Sequence, residues 1–457
     1  MSRIVLASNR VGDLSKGTQA GGLAVAVGDV LRDGSGVWFG WSGDIVANDA
    51  EIGIHLDRQQ TVTIATQALT QEEYDGYYLG YSNRALWPVF HYRLDLAVFD
   101  TAELDRYRAV NQRMARSLAG LLTEDDIVWI HDYHMIPLGA ELRRLGVRNR
   151  MGFFLHIPFP PPEIVTAVPD HEWLIDSLFA YDVVGFQTDQ DVQNFHRYVE
   201  QSAGEVTAET HPFRTEWRDP LVKAYPIGID AHAFAAMATT PEAESRIRHL
   251  VRGSIRNHII GVDRLDYSKG LPDRFRSFRR LLELHPEHRK STVLMQIAPP
   301  TREALTAYAE IRTELEQLSG AINGAFGDFD WTPIRYVHRA VTRDTLAALF
   351  RGSKVGLVTP LRDGMNLVAK EYVAAQDESN PGVLVLSQFA GAAADLKDAI
   401  IVNPHDPDEV AAAIDQAIRM PLEERQERHR ALFTRVRERD AAAWRNAFLA
   451  DLNGAPG

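Results

Sequence analysis

The amino-acid sequence predicts an α/β protein that contains two doubly wound parallel sheets. Short apolar runs rich in β-branched residues recur along the chain, and several, such as KVGLVTP at 354–360, show no polar alternation. Strands of this kind are covered on both faces, as parallel strands usually are. Helix-length segments with 3.6-residue periodicity lie between the runs, and this alternation is typical of parallel strands joined by helical crossovers.

The predicted strands and helices follow one another along most of the chain. The strand runs are RIVLAS, VWFGW, DIVWIHDY, MGFFLHIPF, DVVGFQT, AYPIGI, HIIGVDRL, STVLMQIAP, PIRYVHRA, KVGLVTP, GVLVLS and AIIVNP. The clearest helical segments are 102–122, 189–202, 271–285 and 301–319. Ligands of open α/β sheets bind beyond the carboxyl ends of the strands, so polar clusters that follow a strand run are the candidate sites.

The alternation of strands and helices restarts once. AYPIGIDAHAF closes one series, and IIGVDRLDYSKG opens the next after a polar helical stretch. We therefore predict an N-terminal domain over 1–228 and a C-terminal domain over 229–440, with a cleft between them. A break at RERD lets a helix over 441–457 cross back to the N-terminal domain.

Composition excludes several classes of function. The formal net charge is −13, and an acidic chain is a poor general binder of nucleic acid or of anionic membranes. The chain has no cysteine, which excludes disulfides, thiolate chemistry and cysteine-based zinc sites. No apolar run reaches 18 residues, and Ser8, Asn9 and Arg10 interrupt the apolar N-terminus. We expect a cytoplasmic protein without a nucleic-acid or membrane partner; a homo-oligomer is left open.

Two glycines lie between the first strand run and a helical segment. The Gly21-Gly22 pair would let backbone N–H groups approach a phosphate, although a capped surface loop explains it equally well. The sequence contains neither GxGxxG nor GxxxxGK[ST], which disfavours a nicotinamide oxidoreductase and a P-loop enzyme.

Aromatic and histidine clusters follow the next strand runs. Trp41, Tyr78 and Trp87 are candidates for a sugar pocket, with core packing as the alternative for each. IHDYH places Asp132 between two histidines at a strand end, and FFLHIPFP does the same with His156. Hydrogen bonding to a polyhydroxylated ligand is favoured there over metal binding, and a core histidine is the alternative for His156.

Acidic and basic pairs give two further candidates. Asp189 and Asp191 could hold a cation, but they begin a helix, where carboxylates suit the N-terminal dipole, so capping is favoured. Arg264 and Lys269 follow another strand run and suit a pyrophosphate, with a solvated turn as the alternative. Arg302 lies in a similar position after QIAPP.

The stretch TPLRDGMNLVAKEYVAAQ at 359–376 carries the strongest signal. Gly364 permits close backbone approach, and a helix from about Asn366 directs its free N–H groups to the strand ends. Its flanks are apolar nearly all round, so Lys370 and Glu371 would be buried and need partners. Glu371 could accept hydrogen bonds from vicinal hydroxyls, and an internal ion pair is the alternative.

Motifs along nearly the whole chain resemble those of the trehalose-6-phosphate synthases. They are, in order, GGLAVAV, WFGWSG, WPVFHYRLD, IHDYH, GFFLHIPFPPPEI, AYPIGID, RLDYSKGL and TPLRDGMNLVAKEYVAAQ. The resemblance implies the GT-B fold, with two Rossmann-like domains. It also implies retaining transfer of glucose from a nucleotide-glucose to glucose 6-phosphate. UDP-glucose is the expected donor, with GDP- and ADP-glucose as alternatives, and neither a cofactor nor a metal is expected.

The resemblance also implies roles for individual residues. The expected donor-binding residues are Gly22, Arg264, Lys269, Val341, Asp363, Asn366, Leu367, Val368 and Glu371. The expected acceptor-binding residues are Arg10, Trp41, Tyr78, Trp87, Asp132 and Arg302. The expected catalytic residues are Arg264, Lys269, Asp363, His156 and Trp87.

The absence of an obvious carboxylate nucleophile fits front-face displacement, in which the leaving phosphate takes the acceptor's proton. Two alternative functions remain at this point. One is synthesis of a related phosphorylated glucoside, such as glucosylglycerol phosphate. The other is non-catalytic sensing of a sugar phosphate, which the presence of Asp363 and Glu371 disfavours.

Overall fold

A computed structural model describes residues 3–12, 36–59, 61–202, 214, 219–250 and 256–455. These residues form two compact units. The first contains the described residues up to Pro226 and those from Trp444 onward, and the second runs from Ile227 to Ala443. None of the helices in the described part of the chain combines the length and the apolar character that a membrane span requires.

The first unit is built on an eight-stranded sheet. Its strands are β1 (Ile4–Arg10), β2 (Gly36–Val46), β3 (His55–Gln59), β4 (Val62–Thr70), β5 (Ile127–His131), β6 (Arg150–Phe154), β7 (Val183–Phe186) and β8 (Leu221–Ala224). The order across the sheet is β3-β4-β2-β1-β5-β6-β7-β8. Only the edge strand β3 runs antiparallel to its neighbour among these described strands.

Helices of the first unit connect these strands. They are Gln71–Glu73, the π-helical segment Tyr74–Leu86, Trp87–Phe90, Thr101–Ala119, Leu138–Arg144, Pro162–Val165, His171–Asp176 and Asp189–Gln201. The helix Ala441–Gly454 completes the core, because the Phe448 ring stacks on Trp129 of β5 with centroids 4.4 Å apart. A Cβ at Gly152 of β6 would lie 2.6 Å from that ring, so the glycine gives the helix its room.

The second unit contains a six-stranded parallel sheet. Its strands are β9 (Asn257–Val262), β10 (Thr292–Ile297), β11 (Ile334–Val337), β12 (Val355–Val358), β13 (Val383–Ser387) and β14 (Ile400–Val402), in the order β11-β10-β9-β12-β13-β14. Its helices are Ala231–Met237, Pro241–Leu250, Leu271–Leu284, Thr306–Phe326, Arg343–Arg351, Leu367–Ala375, Pro407–Arg419 and Leu422–Glu438.

The observed elements confirm the predicted fold class and correct some details. Three of the four clearest predicted helices match within a few residues, whereas the fourth runs over Thr306–Phe326 rather than 301–319. AYPIGI was predicted as a strand, but the strand is Leu221–Ala224 and the apolar run lies mostly after it. The sequence analysis missed β3 and β4, because the alternating, Thr- and Gln-containing β4 lacks a continuous apolar run.

Each sheet has one point where the strand order reverses. In the first unit the chain leaves β1 toward β2 and returns to the other side of β1 with β5. In the second unit it proceeds from β9 to β10 and β11 and returns beside β9 with β12. Loops diverge at such a point and leave a crevice at the carboxyl ends, where ligands of open α/β sheets bind.

Candidate functional site

Aromatic rings and one arginine line the strand ends of the first unit. The Trp41 ring packs against Tyr78 with centroids 5.4 Å apart, and Tyr78 stacks on His134 at 5.8 Å. The Arg10 guanidinium lies 5.6 Å from the Trp41 ring centroid. No carboxylate of the described residues is recorded as an ion-pair partner of Arg10, which is exposed. An exposed cation beside aromatic rings suits an anionic sugar.

The position of Arg10 depends on Gly43, a residue that the sequence analysis did not single out. Gly43 has φ of 96°, and a Cβ built there would lie 2.6 Å from the Arg10 Nη2 atom. Glycine adopts this conformation without steric cost and leaves space for the guanidinium. The WSGD sequence at 41–44, a glycine next to a turn residue, is the signal that could have indicated it.

Asp132 and His156 lie together at the ends of β5 and β6. The Asp132 carboxylate accepts a hydrogen bond of 3.2 Å from the backbone N–H of His156, and its own N–H donates to Phe154 O at 2.8 Å. Asp132 has φ of 75°, an uncommon conformation for a residue other than glycine. Such strain persists where surrounding contacts hold it, and it clusters at functional sites.

Trp87 lies deeper than the other candidate aromatics. It follows the π-helical segment Tyr74–Leu86, is 4% exposed, and packs on His91 with ring centroids 4.1 Å apart. Its ring also meets Tyr133 at 5.6 Å. The structure therefore places Trp87 in the core, where its ring contacts the short 3-10 helix Tyr133–Met135.

A buried arginine organises the strand ends of the second unit. The Arg274 side chain is 0% exposed and donates to Asp263 Oδ2 at 2.7 Å, to Gln296 Oε1 at 2.9 Å and to Thr359 Oγ1 at 3.0 Å. These three partners follow or end β9, β10 and β12. One guanidinium thus ties three neighbouring strand ends together. Burial raises the pKa of the Asp263 carboxyl despite this partner.

Lys269, Asp363 and Asn366 meet at the switch point between β9 and β12. Lys269 Nζ lies 2.6 Å from Asp363 Oδ2, and the Asn366 amide donates to the same oxygen at 3.0 Å. Asn366 has φ of 78° and caps the helix Leu367–Ala375 by accepting from Ala369 N at 3.2 Å. The structure therefore brings these three predicted site residues together at the start of that helix, with Leu367 and Val368 in its first turn.

Glu371 and Lys370 have different partners on the same helix. Glu371 Oε1 lies 3.3 Å from Arg343 Nη2, and burial raises the pKa of its carboxyl. Lys370 donates to Ile227 O at 2.8 Å, and its ammonium lies 3.5 Å from Asp395. Burial lowers the Lys370 pKa to about 8. Lys370 therefore anchors the helix to the beginning of the second unit and does not pair with Glu371.

The remaining candidates are more dispersed. Arg264 is exposed after β9, and Val341 is partly exposed in the loop before the helix Arg343–Arg351. Arg302, with φ of 49°, donates to Tyr308 OH at 2.8 Å and lies 3.6 Å from Asp266. Gly22 lies outside the described residues.

Of the two acidic residues Asp189 and Asp191, Asp191 forms a capping box with Thr188 at the start of the helix Asp189–Gln201. Asp191 accepts from Thr188 N at 3.0 Å, from Thr188 Oγ1 at 2.6 Å and from Phe159 N at 2.9 Å. These bonds use the carboxylate within the fold and confirm the capping interpretation.

Among the described residues one cluster has metal-ligand geometry, and it consists of His285, Glu287 and Asp415. Arg419 forms ion pairs with both of its carboxylates. The cluster lies on helix ends of the second unit, whereas the candidate site residues of that unit lie at the carboxyl ends of its strands. Because Arg419 pairs with both Glu287 and Asp415, the two carboxylates of the cluster already have a cationic partner.

Two residues that shape the second unit's site were not predicted. Arg274 and Arg343 lie inside helical segments, where the sequence analysis did not separate them from the other helix arginines. Their partners are distant in sequence, so no local pattern marks them. The backbone gives another signal, since three of the five described non-glycine residues with positive φ are candidate site residues, namely Asp132, Arg302 and Asn366.

Comparisons with known proteins give matches that cover nearly the whole chain. The family model described as Glycosyltransferase family 20 matches residues 7–454. The trehalose-6-phosphate synthase of Enterobacter sp. (strain 638) is 46% identical over 458 residues, which cover 99% of this chain and 95% of the relative.

Two solved structures are similar over nearly their whole lengths. An α,α-trehalose-phosphate synthase (UDP-forming) from Burkholderia xenovorans, in complex with glucose-6-phosphate, has a TM-score of 0.93 and 48% identity, covering 99% of this chain and 100% of that chain. A structure described as trehalose-6-phosphate from E. coli bound with UDP-2-fluoro glucose has a TM-score of 0.91 and 44% identity, with 99% of each chain covered.

Proposed function

The chain belongs to glycosyltransferase family 20, and from this membership we propose that it transfers glucose from UDP-glucose to glucose 6-phosphate. The products are α,α-trehalose 6-phosphate and UDP. The observation that carries the proposal is the cluster of Lys269, Asp363 and Asn366 at the switch point, beside the helix that bears Glu371. The related Burkholderia enzyme is UDP-forming and binds glucose-6-phosphate, which supports the choice of both substrates.

The second unit supplies the groups for the nucleotide-glucose. Arg264 and Lys269 hold the pyrophosphate, and the N–H groups at the start of the helix Leu367–Ala375 add hydrogen bonds to it. Glu371 accepts from the ribose hydroxyls, and Asp363 accepts from the glucose hydroxyls. Lys269 pairs with Asp363 at 2.6 Å, and this ion pair holds the lysine at the switch point.

The first unit supplies most of the groups for glucose 6-phosphate. Arg10 and Tyr78 bind its phosphate, Trp41 lines the pocket, and Asp132 accepts from a sugar hydroxyl. Arg10 is exposed without a recorded carboxylate partner among the described residues, which favours an anionic ligand there. Arg302 is also proposed for this phosphate, as the resemblance of the sequence implies.

The proposed reaction is front-face displacement with retention of configuration. The bond between the glucose anomeric carbon and the pyrophosphate oxygen breaks, and a bond to the acceptor's anomeric hydroxyl oxygen forms on the same face. The proton of that hydroxyl passes to the departing phosphate oxygen. Lys269, Arg264 and the helix start stabilise the charge that develops on the leaving group, while the two sites hold the reactants in position.

We also propose that the two domains bind different substrates. We assign acceptor binding to the N-terminal domain over 1–228 and donor binding to the C-terminal domain over 229–440, with 441–457 returning to the first. A cytoplasmic location and independence from metal ions are predictions that rest on the sequence, which leaves a homo-oligomer open.

The proposal is tested by incubating the purified chain with glucose 6-phosphate and UDP-, GDP- or ADP-glucose in EDTA. Release of nucleoside diphosphate and the identity of the disaccharide phosphate are measured. We expect turnover with UDP-glucose, and we expect Arg264→Ala to lower kcat/KM by roughly 10- to 100-fold, the value of one charge-assisted hydrogen bond.

Arg276→Ala, on the exposed face of the helix Leu271–Leu284, serves as the control and should keep its activity. No turnover with any donor would overturn the proposed function. Near-normal turnover of Arg264→Ala would overturn the role of Arg264 in leaving-group stabilisation. A strict metal requirement would contradict the proposed mechanism.

A further inference from the structure

Two histidines from adjacent strand ends of the first unit share a hydrogen bond. His131 ends β5 and His156 follows β6, and His131 Nδ1 lies 3.1 Å from His156 Nε2. Aromatic rings surround the pair, with Trp129 4.7 Å from His131 and Phe154 4.7 Å from His156, measured between centroids. Trp444 of the helix Ala441–Gly454 lies 6.1 Å from His156.

Both imidazoles are neutral in these surroundings. Burial lowers the pKa of His156 to about 3, and burial together with the neighbouring His156 lowers the pKa of His131 well below its ordinary value. A neutral imidazole carries one N–H, on either Nδ1 or Nε2. A hydrogen bond between the two rings therefore requires one ring to donate and the other to accept, and this choice fixes both tautomers.

The outer nitrogen of His131 decides between the two arrangements. His131 Nε2 is buried, with no hydrogen-bond partner in the described part of the chain. If His156 donated, His131 would bury an N–H without a partner. If His131 donates through Nδ1, its Nε2 is an unprotonated acceptor. Orphaned buried N–H groups are rarer than under-satisfied acceptors, so donation by His131 is favoured.

We propose that His131 is a positioning residue that fixes the tautomer of His156, so that His156 offers its Nδ1–H to a hydroxyl oxygen of a sugar substrate. With His156 Nε2 accepting from His131, the one N–H of His156 must lie on Nδ1. The His156 side chain is only partly buried, and its backbone is held by the bond to Asp132. The identity of the ligand rests on the proposed function, whereas the tautomer follows from the pair itself.

The tautomer can be tested on the ligand-free protein. Long-range ¹⁵N–¹H spectra of histidine-labelled protein distinguish Nδ1–H from Nε2–H rings, and a His156→Gln variant assigns the signal among the 16 histidines. We expect His156 to be the Nδ1–H tautomer, and His131→Leu to convert it to a mixture. An Nε2–H signal from His156 in the wild-type protein would overturn the proposal, whatever the protein's activity.

Kinetics separate a positioning role from a structural one. His131→Leu should lower kcat/KM about fivefold, the value of roughly one neutral hydrogen bond. His131→Asn should restore activity to within about twofold, because its amide can donate from the position of Nδ1. An equal loss in His131→Asn would contradict positioning.

His258→Leu is the matched control. His258 is another buried histidine at a strand residue, and neither of its ring nitrogens has a recorded hydrogen-bond partner among the described residues. Its replacement removes a buried ring of the same kind without removing a ring hydrogen bond. We expect unchanged kinetics and an unchanged His156 signal, and a loss equal to that of His131→Leu would contradict the proposal. If wild-type protein turns over no donor, the proposed function fails while the spectra still decide the tautomer.

Discussion

Replacement of Arg274 by Met probes the ion pair beneath the second unit's strand ends. The substitution keeps most of the side-chain length but removes the guanidinium. Asp263, whose side chain is 2% exposed, then loses its bond of 2.7 Å. Gln296 and Thr359 also each lose a donor.

The expected loss of unfolding free energy is about 3–5 kcal/mol. Removing one partner from a buried ion pair leaves an uncompensated buried charge, and this accounts for most of the loss. The two neutral acceptors that lose a donor, Gln296 Oε1 and Thr359 Oγ1, add roughly 1 kcal/mol each at most. Binding of UDP-glucose should weaken as well, because the hydrogen bonds of Arg274 no longer connect the ends of β9, β10 and β12.

The pH dependence identifies the cause. Burial already raises the Asp263 pKa above its unfolded value, and losing Arg274 removes the largest opposing influence, so the pKa rises further. The folded state then binds this proton more tightly than the unfolded chain does. The deficit of Arg274→Met should therefore be largest above the folded-state pKa of Asp263 and shrink as the pH falls through it.

The assay is urea unfolding followed by circular dichroism at several pH values, with Arg276→Met as the control. Arg276 is 44% exposed and pairs with Asp273 and Glu314 at the surface, so its loss should cost at most about 1 kcal/mol. Asp263→Asn combined with Arg274→Met should recover part of the stability. A pH-independent deficit, or one no larger than that of the control, would refute the reasoning.

Two further substitutions test packing around the first unit's site. Gly43→Ala should raise KM for glucose 6-phosphate several-fold and leave KM for UDP-glucose unchanged in steady-state assays, because the new Cβ displaces Arg10, and a parallel change in both constants would contradict this. Phe448→Ala should cost about 3–5 kcal/mol in urea unfolding, since the fully buried ring leaves a cavity beside Trp129 and Gly152. A cost below about 1 kcal/mol would show that the helix is not part of the core.

The sequence predicted the sheets and many candidate residues because these depend on local patterns. Continuous apolar runs predicted parallel strands, and glycine and charge after a run marked the loop around Asp363. β4 was missed because threonine and glutamine interrupt its apolar residues, and two of these polar residues, Gln67 and Thr70, are themselves buried.

The partners of charged residues depend on tertiary structure, so the sequence could not supply them. Lys370 looked like a partner for Glu371, but neighbours along a helix point in different directions, and each meets a different element. Ile227 O, the acceptor for Lys370, is 143 residues away in sequence. The sequence likewise gave no reason to separate Arg274 from the other arginines of its helix.

The late position of the helix Ala441–Gly454 in the chain delays completion of the first unit's core during synthesis. The first unit's strands are complete once Pro226 has been translated, but Phe448 and Leu452, both fully buried, are not made until the whole second unit has followed. At about 5–20 residues per second, the intervening 220 or so residues take roughly 10–40 s. During that interval the nascent first unit lacks the helix that packs on Trp129 and at Gly152, and transiently exposed apolar surface of this kind favours aggregation and chaperone binding.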